Sequence, residues 1–113
     1  MGDQDEFVER IRDARAALRA YHAPGAKPPD VLELRAVHGE LLHALVEFGE
    51  QRPDSIQNAA AILATRGARN VEDAIAKTGD EVIASVDLAE SDLGFALGIL
   101  NPKPRTQANT EGE

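Results

Sequence analysis

Two proline stops, Pro28-Pro29 and Pro53, bracket the run DVLELRAVHGELLHALVEFGEQR, from Asp30 to Arg52. This run constrains the chain most. The paired prolines cannot continue an incoming helix, and Pro53 restricts Arg52 to extended backbone, so a helix is confined between them. Asp30 offers a capping carboxylate, and Glu33, three residues on, has the capping-box spacing. Val31, Leu34, Val37, Leu41, Leu45 and Phe48 recur at steps of three and four, the helical period. At 100° per residue, Leu34, His38, Leu41, Leu45 and Phe48 share one arc, which Leu42 and Val46 widen on one side. A face this broad predicts contact with two neighbouring helices.

The flanking segments read the same way. From Asp3 to His22, Phe7, Ile11, Ala14, Leu18 and Tyr21 form a narrow heptad-like seam, with Arg12, Arg15 and Arg19 to one side and Glu6, Glu9 and Asp13 to the other. Opposite charges flanking a seam suit a helix packed beside another, and a solvated flank is the ordinary reason for the arginine row. A binding face is the alternative. Ala23–Pro29 is a connector of a length that suits an antiparallel turn.

Beyond Pro53, Asp54 or Ser55 caps a helix to Arg66, with Ile56, Ala59, Ala60 and Leu63 as its buried stripe and Gly67 as the residue that ends it. Asn70, with Asp73 three later, opens a last region. There Val71, Ile75, Val82, Val86, Ala89, Leu93, Leu97 and Leu100 hold one stripe, and Thr78-Gly79-Asp80 is the place for a kink or break. Residues 102–113, which begin with Pro102, read as a flexible tail on a helical domain of residues 1–101. With 113 residues, 42% hydrophobic but only 4% aromatic, the core is single, aliphatic and rich in alanine. The expected fold is all-α: an antiparallel bundle of about four helices, the last long and kinked or divided near Gly79.

Charge narrows the partners. A net charge of −8 opposes approach to a nucleic-acid backbone or an anionic membrane. An acidic mimic of nucleic acid is compatible with that charge. The start MGDQDEF is acidic and lacks an apolar signal core, and no apolar run approaches a membrane span, so a soluble cytoplasmic protein is expected. There is no cysteine, no G-x-S-x-G, no P-loop and no dinucleotide fingerprint, so neither an enzyme nor a cofactor is expected.

Glu40-Leu-Leu-His43 has the E-x-x-H spacing of carboxylate-bridged metal bundles. Glu33, Glu40, His43, Glu47 and Glu50 nevertheless fall opposite Leu34, Leu41, Leu45 and Phe48, and no second E-x-x-H occurs. His38 and His43 diverge by about 140° on the helix and cannot share one ion. In size and class the chain resembles histidine phosphotransfer domains. Their His-x-x-Lys-Gly motif has no counterpart, because His43 is followed by Ala44, Leu45, Val46 and Glu47. A small metal-binding or phosphotransfer bundle using Glu40 and His43 is therefore the alternative function. Ile62–Lys77 has the outline of a DNA-reading helix–turn–helix, but its second helix would open on Asn70-Val71-Glu72-Asp73, with carboxylates where phosphates would lie.

The segment Leu93–Leu100, LGFALGIL, is uncharged. Leu93, Leu97 and Leu100 continue the main stripe, while Leu88, Phe95 and Ile99 make a second apolar patch on another side. Gly94 and Gly98, with Ser91 before them, form a strip of small residues that lets another helix approach. Either this terminal helix is buried on all sides or the patch is an intermolecular surface. The functional expectation is a non-enzymatic protein–protein interaction module, an adaptor, regulatory subunit, inhibitor or assembly factor. Leu88, Phe95, Ile99, Gly94 and Gly98 are its contact residues, and a homodimer through the same patch is one form of it.

Overall fold

The computed structural model of the protein describes residues 2–100, with side chains from Gln4 onward. Four helices follow one another: α1 (Gly2–Arg19), extended by a 3-10 turn over Ala20–His22, α2 (Val31–Gly49), α3 (Ser55–Ala76) and α4 (Asp80–Leu100). Among the described residues there is no strand, and the fold is an all-α bundle. No helix among them is long and apolar enough to cross a membrane.

The helices close a ring in which α1 packs on α2 and α4, and α3 packs on the same two. Cross-helix contacts fix the directions. Phe7 and Tyr21, at opposite ends of the first helical segment, meet Phe48 and Glu33 of α2 in reversed order. Arg15 and Arg19 likewise meet Gly94 and Glu90 of α4. Neighbours in the ring are therefore antiparallel on these two seams.

Local signals set the helix starts. The Asp30 carboxylate accepts a hydrogen bond from the Leu32 N–H at 2.8 Å, satisfying one of the free donors of α2. Glu33 does not complete the expected capping box; it accepts a hydrogen bond from the Tyr21 hydroxyl at 2.7 Å. The reciprocal box forms instead on α3, where the Gln57 N–H donates to Asp54 and the Asp54 N–H donates back to the Gln57 side chain. Gly79, at φ +63°, breaks the chain where a break was expected, and Asp80 and Glu81 open α4 with negative charge at the positive end of its dipole.

Each helix contributes one buried line. Phe7, Val8, Ile11, Ala14 and Leu18 come from α1, and Leu34, Val37, Leu41, Ala44 and Phe48 from α2. Ala60, Ala64, Ala68, Val71 and Ala74 come from α3, and Val86, Ala89, Leu93, Ala96 and Leu100 from α4. Phe7 and Phe48 stack with ring centroids 3.9 Å apart, closing one end of the α1/α2 seam.

Four expectations are corrected. The buried line of α2 runs through Val37 and Ala44, so Leu45 and His38 are half-buried and Leu42 and Val46 are exposed. The large residues had drawn the arc to one side of the true seam. On α3, Ile56 and Ala59 are exposed and Leu63 is half-buried, because the helix turns its alanines inward. Gly67 does not end that helix. It is buried in the middle of α3, and a Cβ built there would lie 3.0 Å from Leu93 Cδ2 and 3.4 Å from the Ala89 carbonyl oxygen. Its missing side chain serves close packing, so the helix–turn–helix outline disappears and Asn70–Ala76 belongs to α3. Finally, Arg52 is not extended but sits at φ +57°, in the left-handed region.

Candidate functional site

Helix α4 packs on α3 and α1, and the candidate site follows from how its polar groups are disposed. Towards α3 it presents Ala89, Leu93 and Ala96, all fully buried, and Asp92, which accepts a hydrogen bond from the Asn70 amide at 2.8 Å. Towards α1 it presents Asp87 and Glu90. Glu90 lies 3.3 Å from Arg19 Nε and 4.0 Å from Arg15 Nη2, and Asp87 lies 2.5 Å from His22 Nε2.

The acidic side chains between Asp87 and Leu100 are thus drawn sideways or inward. What remains pointing outward from Leu88 onward is Leu88, Ser91, Phe95 and Gly98, spaced three, four and three residues apart on one helix face. Leu88 is 57% exposed and Phe95 63%. None of the four is charged. The exposed side of α2 also carries apolar groups, Leu42 and Val46, but Arg35, Glu40, His43 and Glu50 are exposed among them.

The five residues singled out from sequence separate into two groups. Leu88, Phe95 and Gly98 share the outward face, with half-buried Ile99 at its edge. Gly94 turns towards α1, where the Arg15 guanidinium lies across it; a Cβ at Gly94 would be 3.3 Å from Arg15 Cζ, Nε and Nη2. A Cβ at Gly98 would meet nothing within 4 Å.

The arginine row of α1 also lines a groove. Arg12, Arg15, Ala16, Arg19, Ala20 and Leu97 enclose about 460 Å³ along the α1/α4 seam. At its end His22, Asp87 and Glu90 place one donor atom each within 4.8 Å of one another, a donor set that suits a divalent cation. Arg19 and Arg15 already neutralise Glu90, however, and a cation would have to displace them. Sequence reading missed this cluster, because spacing within α1 cannot show that α4 brings carboxylates to it from some seventy residues away. The only signal was the one-sided arginine row.

Glu40 and His43 are both exposed, and they are used separately. Glu40 edges a shallow groove of about 310 Å³ between α1 and α2, floored by Ala14, Ala17, Ala36 and Val37. His43 Nε2 lies 2.9 Å from Glu47, which also meets Arg10 at 3.3 Å. At the other end of that seam, burial and then the hydrogen bond to the Glu33 carboxylate push the Tyr21 phenol up to about 12.

No protein-family model matches the chain, and no curated protein and no solved structure is significantly similar to it.

Proposed function

We propose that the protein is a non-enzymatic interaction module whose contact surface is the outward face of α4. One observation supports this above the rest: Leu88 and Phe95 stand more than half exposed on a face without a charge, in a chain whose residues are 28% charged. Exposing a leucine and an aromatic ring two turns apart on one face leaves apolar area in water that a partner would cover, at roughly 25 cal/mol per Å². The flanking carboxylates each have a partner on another element, Asp87 with His22, Glu90 with Arg19 and Asp92 with Asn70, which lowers the cost of covering the face between them.

A photo-crosslinking amino acid placed at position 95 in the expressed full chain tests this reading. Crosslinks to protein from position 95, and none from a control at the exposed Glu9, are the expected result. An absence of protein crosslinks from 95 would remove the proposal.

A further inference from the structure

Resting on that reading of the α4 face, we infer that its occupant is a second copy of this chain, docked helix to helix and antiparallel. The face is complementary to itself. Large and small residues alternate along it in the order Leu88, Ser91, Phe95, Gly98, and all four are exposed. Antiparallel pairing reverses that order, and a two-fold axis passing near Leu93 sets Leu88 level with Gly98 of the second copy. The same axis sets Phe95 level with Ser91 of the second copy. Each large side chain then rests where the opposing helix has little or nothing, which is the condition for two helices to approach closely without overpacking. A parallel pairing in register stacks Phe95 on Phe95 and leaves Gly98 against Gly98, with neither the fit nor the contact area.

Charge opposes the association and restricts where it can occur. Each copy carries a net charge of −8, so two copies repel at long range and can meet only where neither presents a carboxylate. The outward positions of α4 from Leu88 onward satisfy that condition. A contact along about three helical turns covers roughly half, or less, of the ~800 Å² per partner found in standard stable interfaces. The dimer is accordingly a reversible one, and it tightens as salt screens the repulsion between the copies.

Sedimentation equilibrium of the purified full chain, run over a wide concentration range, reads this directly. A monomer–dimer equilibrium is expected, and Phe95→Asp raises the dissociation constant by at least roughly tenfold with helical content unchanged. Gly98→Leu adds a side chain where its own chain has open space, but in the place that Leu88 of the second copy fills. It weakens the dimer, and adding Leu88→Ala restores it. A monomeric mass at every concentration overturns the inference, as does a dimer indifferent to Phe95→Asp, one that loosens with salt, or a failed rescue. Crosslinks from position 95 to a different protein, with a monomeric mass, would overturn the second copy as occupant while leaving the interaction-module reading standing.

Discussion

Helix α4 is held on two sides by opposite means, and a glycine marks each. On the α3 side Gly67 meets Leu93 and the Ala89 carbonyl, both fixed: Leu93 is fully buried, and the carbonyl is part of the helix backbone. On the α1 side Gly94 meets Arg15, whose guanidinium is the far end of a flexible side chain. The first contact is buried, an aliphatic side chain and a helix backbone packed closely on Gly67. The second is a half-exposed network of Arg15, Arg19 and Glu90, with His22 on Asp87 beyond it. The difference shows where stability resides. Close packing excludes water and costs free energy if altered by one methyl group, whereas exposed ion pairs are screened and can rearrange.

The largest expected effect is on the dry seam. Leu93→Ala removes a side chain with no solvent exposure and leaves a cavity against Gly67, so unfolding free energy should fall by about 2–5 kcal/mol, measured by chemical denaturation. The pair offers a sharper test in a double-mutant cycle. Alone, Gly67→Ala gains helix propensity worth about 1 kcal/mol but presses a methyl group on Leu93, so it yields no net gain. In the Leu93→Ala background the space is open, and the same change should stabilise by roughly that 1 kcal/mol. Additivity of the two substitutions would refute the close approach.

The same substitution on the wet seam should behave differently. Gly94→Ala brings a methyl group to 3.3 Å from a guanidinium that can move aside, so most of the propensity gain, up to about 1 kcal/mol, should be kept. A Gly94→Ala protein less stable than the wild type would mean that Arg15 is rigidly seated and that the two seams are alike. Glu90→Gln probes the network itself. With Arg19 60% exposed and Arg15 34%, its loss should cost under ~1 kcal/mol and shrink further in salt.

These contrasts also explain what the sequence could and could not show. Most of the α1 seam was legible, Phe7, Ile11, Ala14 and Leu18, because α1 has large side chains at heptad spacing; Val8, also buried, lies off that spacing and was not. The break at Gly79 and the caps at Asp30 and Asp54 were legible because each is a local matter of backbone and hydrogen bonding. Gly67 was not. A glycine after an arginine in a polar stretch looks the same whether it ends a helix or admits a neighbour, and only the position of Leu93 decides. Alanine seams are hard to see for the same reason: Ala44, Ala60 and Ala64 are buried, yet Leu45, Ile56 and Leu63 outrank them on any hydrophobic scale. The outward face of α4 was half legible. Its apolar residues were identifiable, but that Glu90 and Asp92 are held aside depends on Arg19 and Asn70 from two other helices.

Backbone strain gives a smaller effect, outside both seams. Arg52 joins α2 to α3 at φ +57°, where a Cβ crowds the backbone at a cost of roughly 1–2 kcal/mol. Arg52→Gly relieves that crowding but adds freedom to the unfolded chain, so a net gain of about 0.5 kcal/mol is expected in thermal unfolding. A loss would show that the Arg52 side chain contributes contacts worth more than the strain.

The last test asks whether every polar contact between helices is as wet as the one at Glu90. Tyr21 and Glu33 join the far end of the α1 segment to α2, and there the phenol is pushed up to about 12. Burial, the largest cause, disfavours the phenolate, and the Glu33 carboxylate beside it adds repulsion and a hydrogen bond to the neutral form. The sign for stability follows. The unfolded chain ionises its tyrosine near 10, below the folded value, so the contribution of this contact is complete below pH 10 and is lost as pH rises from there through 12. Tyr21 is the only tyrosine and there is no tryptophan, so ultraviolet absorbance of phenolate follows this one group without interference. The native protein should titrate near 12, and Glu33→Gln, which removes the charge, should bring the midpoint back part of the way towards 10. A native midpoint at 10 would make this contact as open to solvent as the α1/α4 network, leaving the dry α3/α4 seam as the sole place where the bundle shields what it holds.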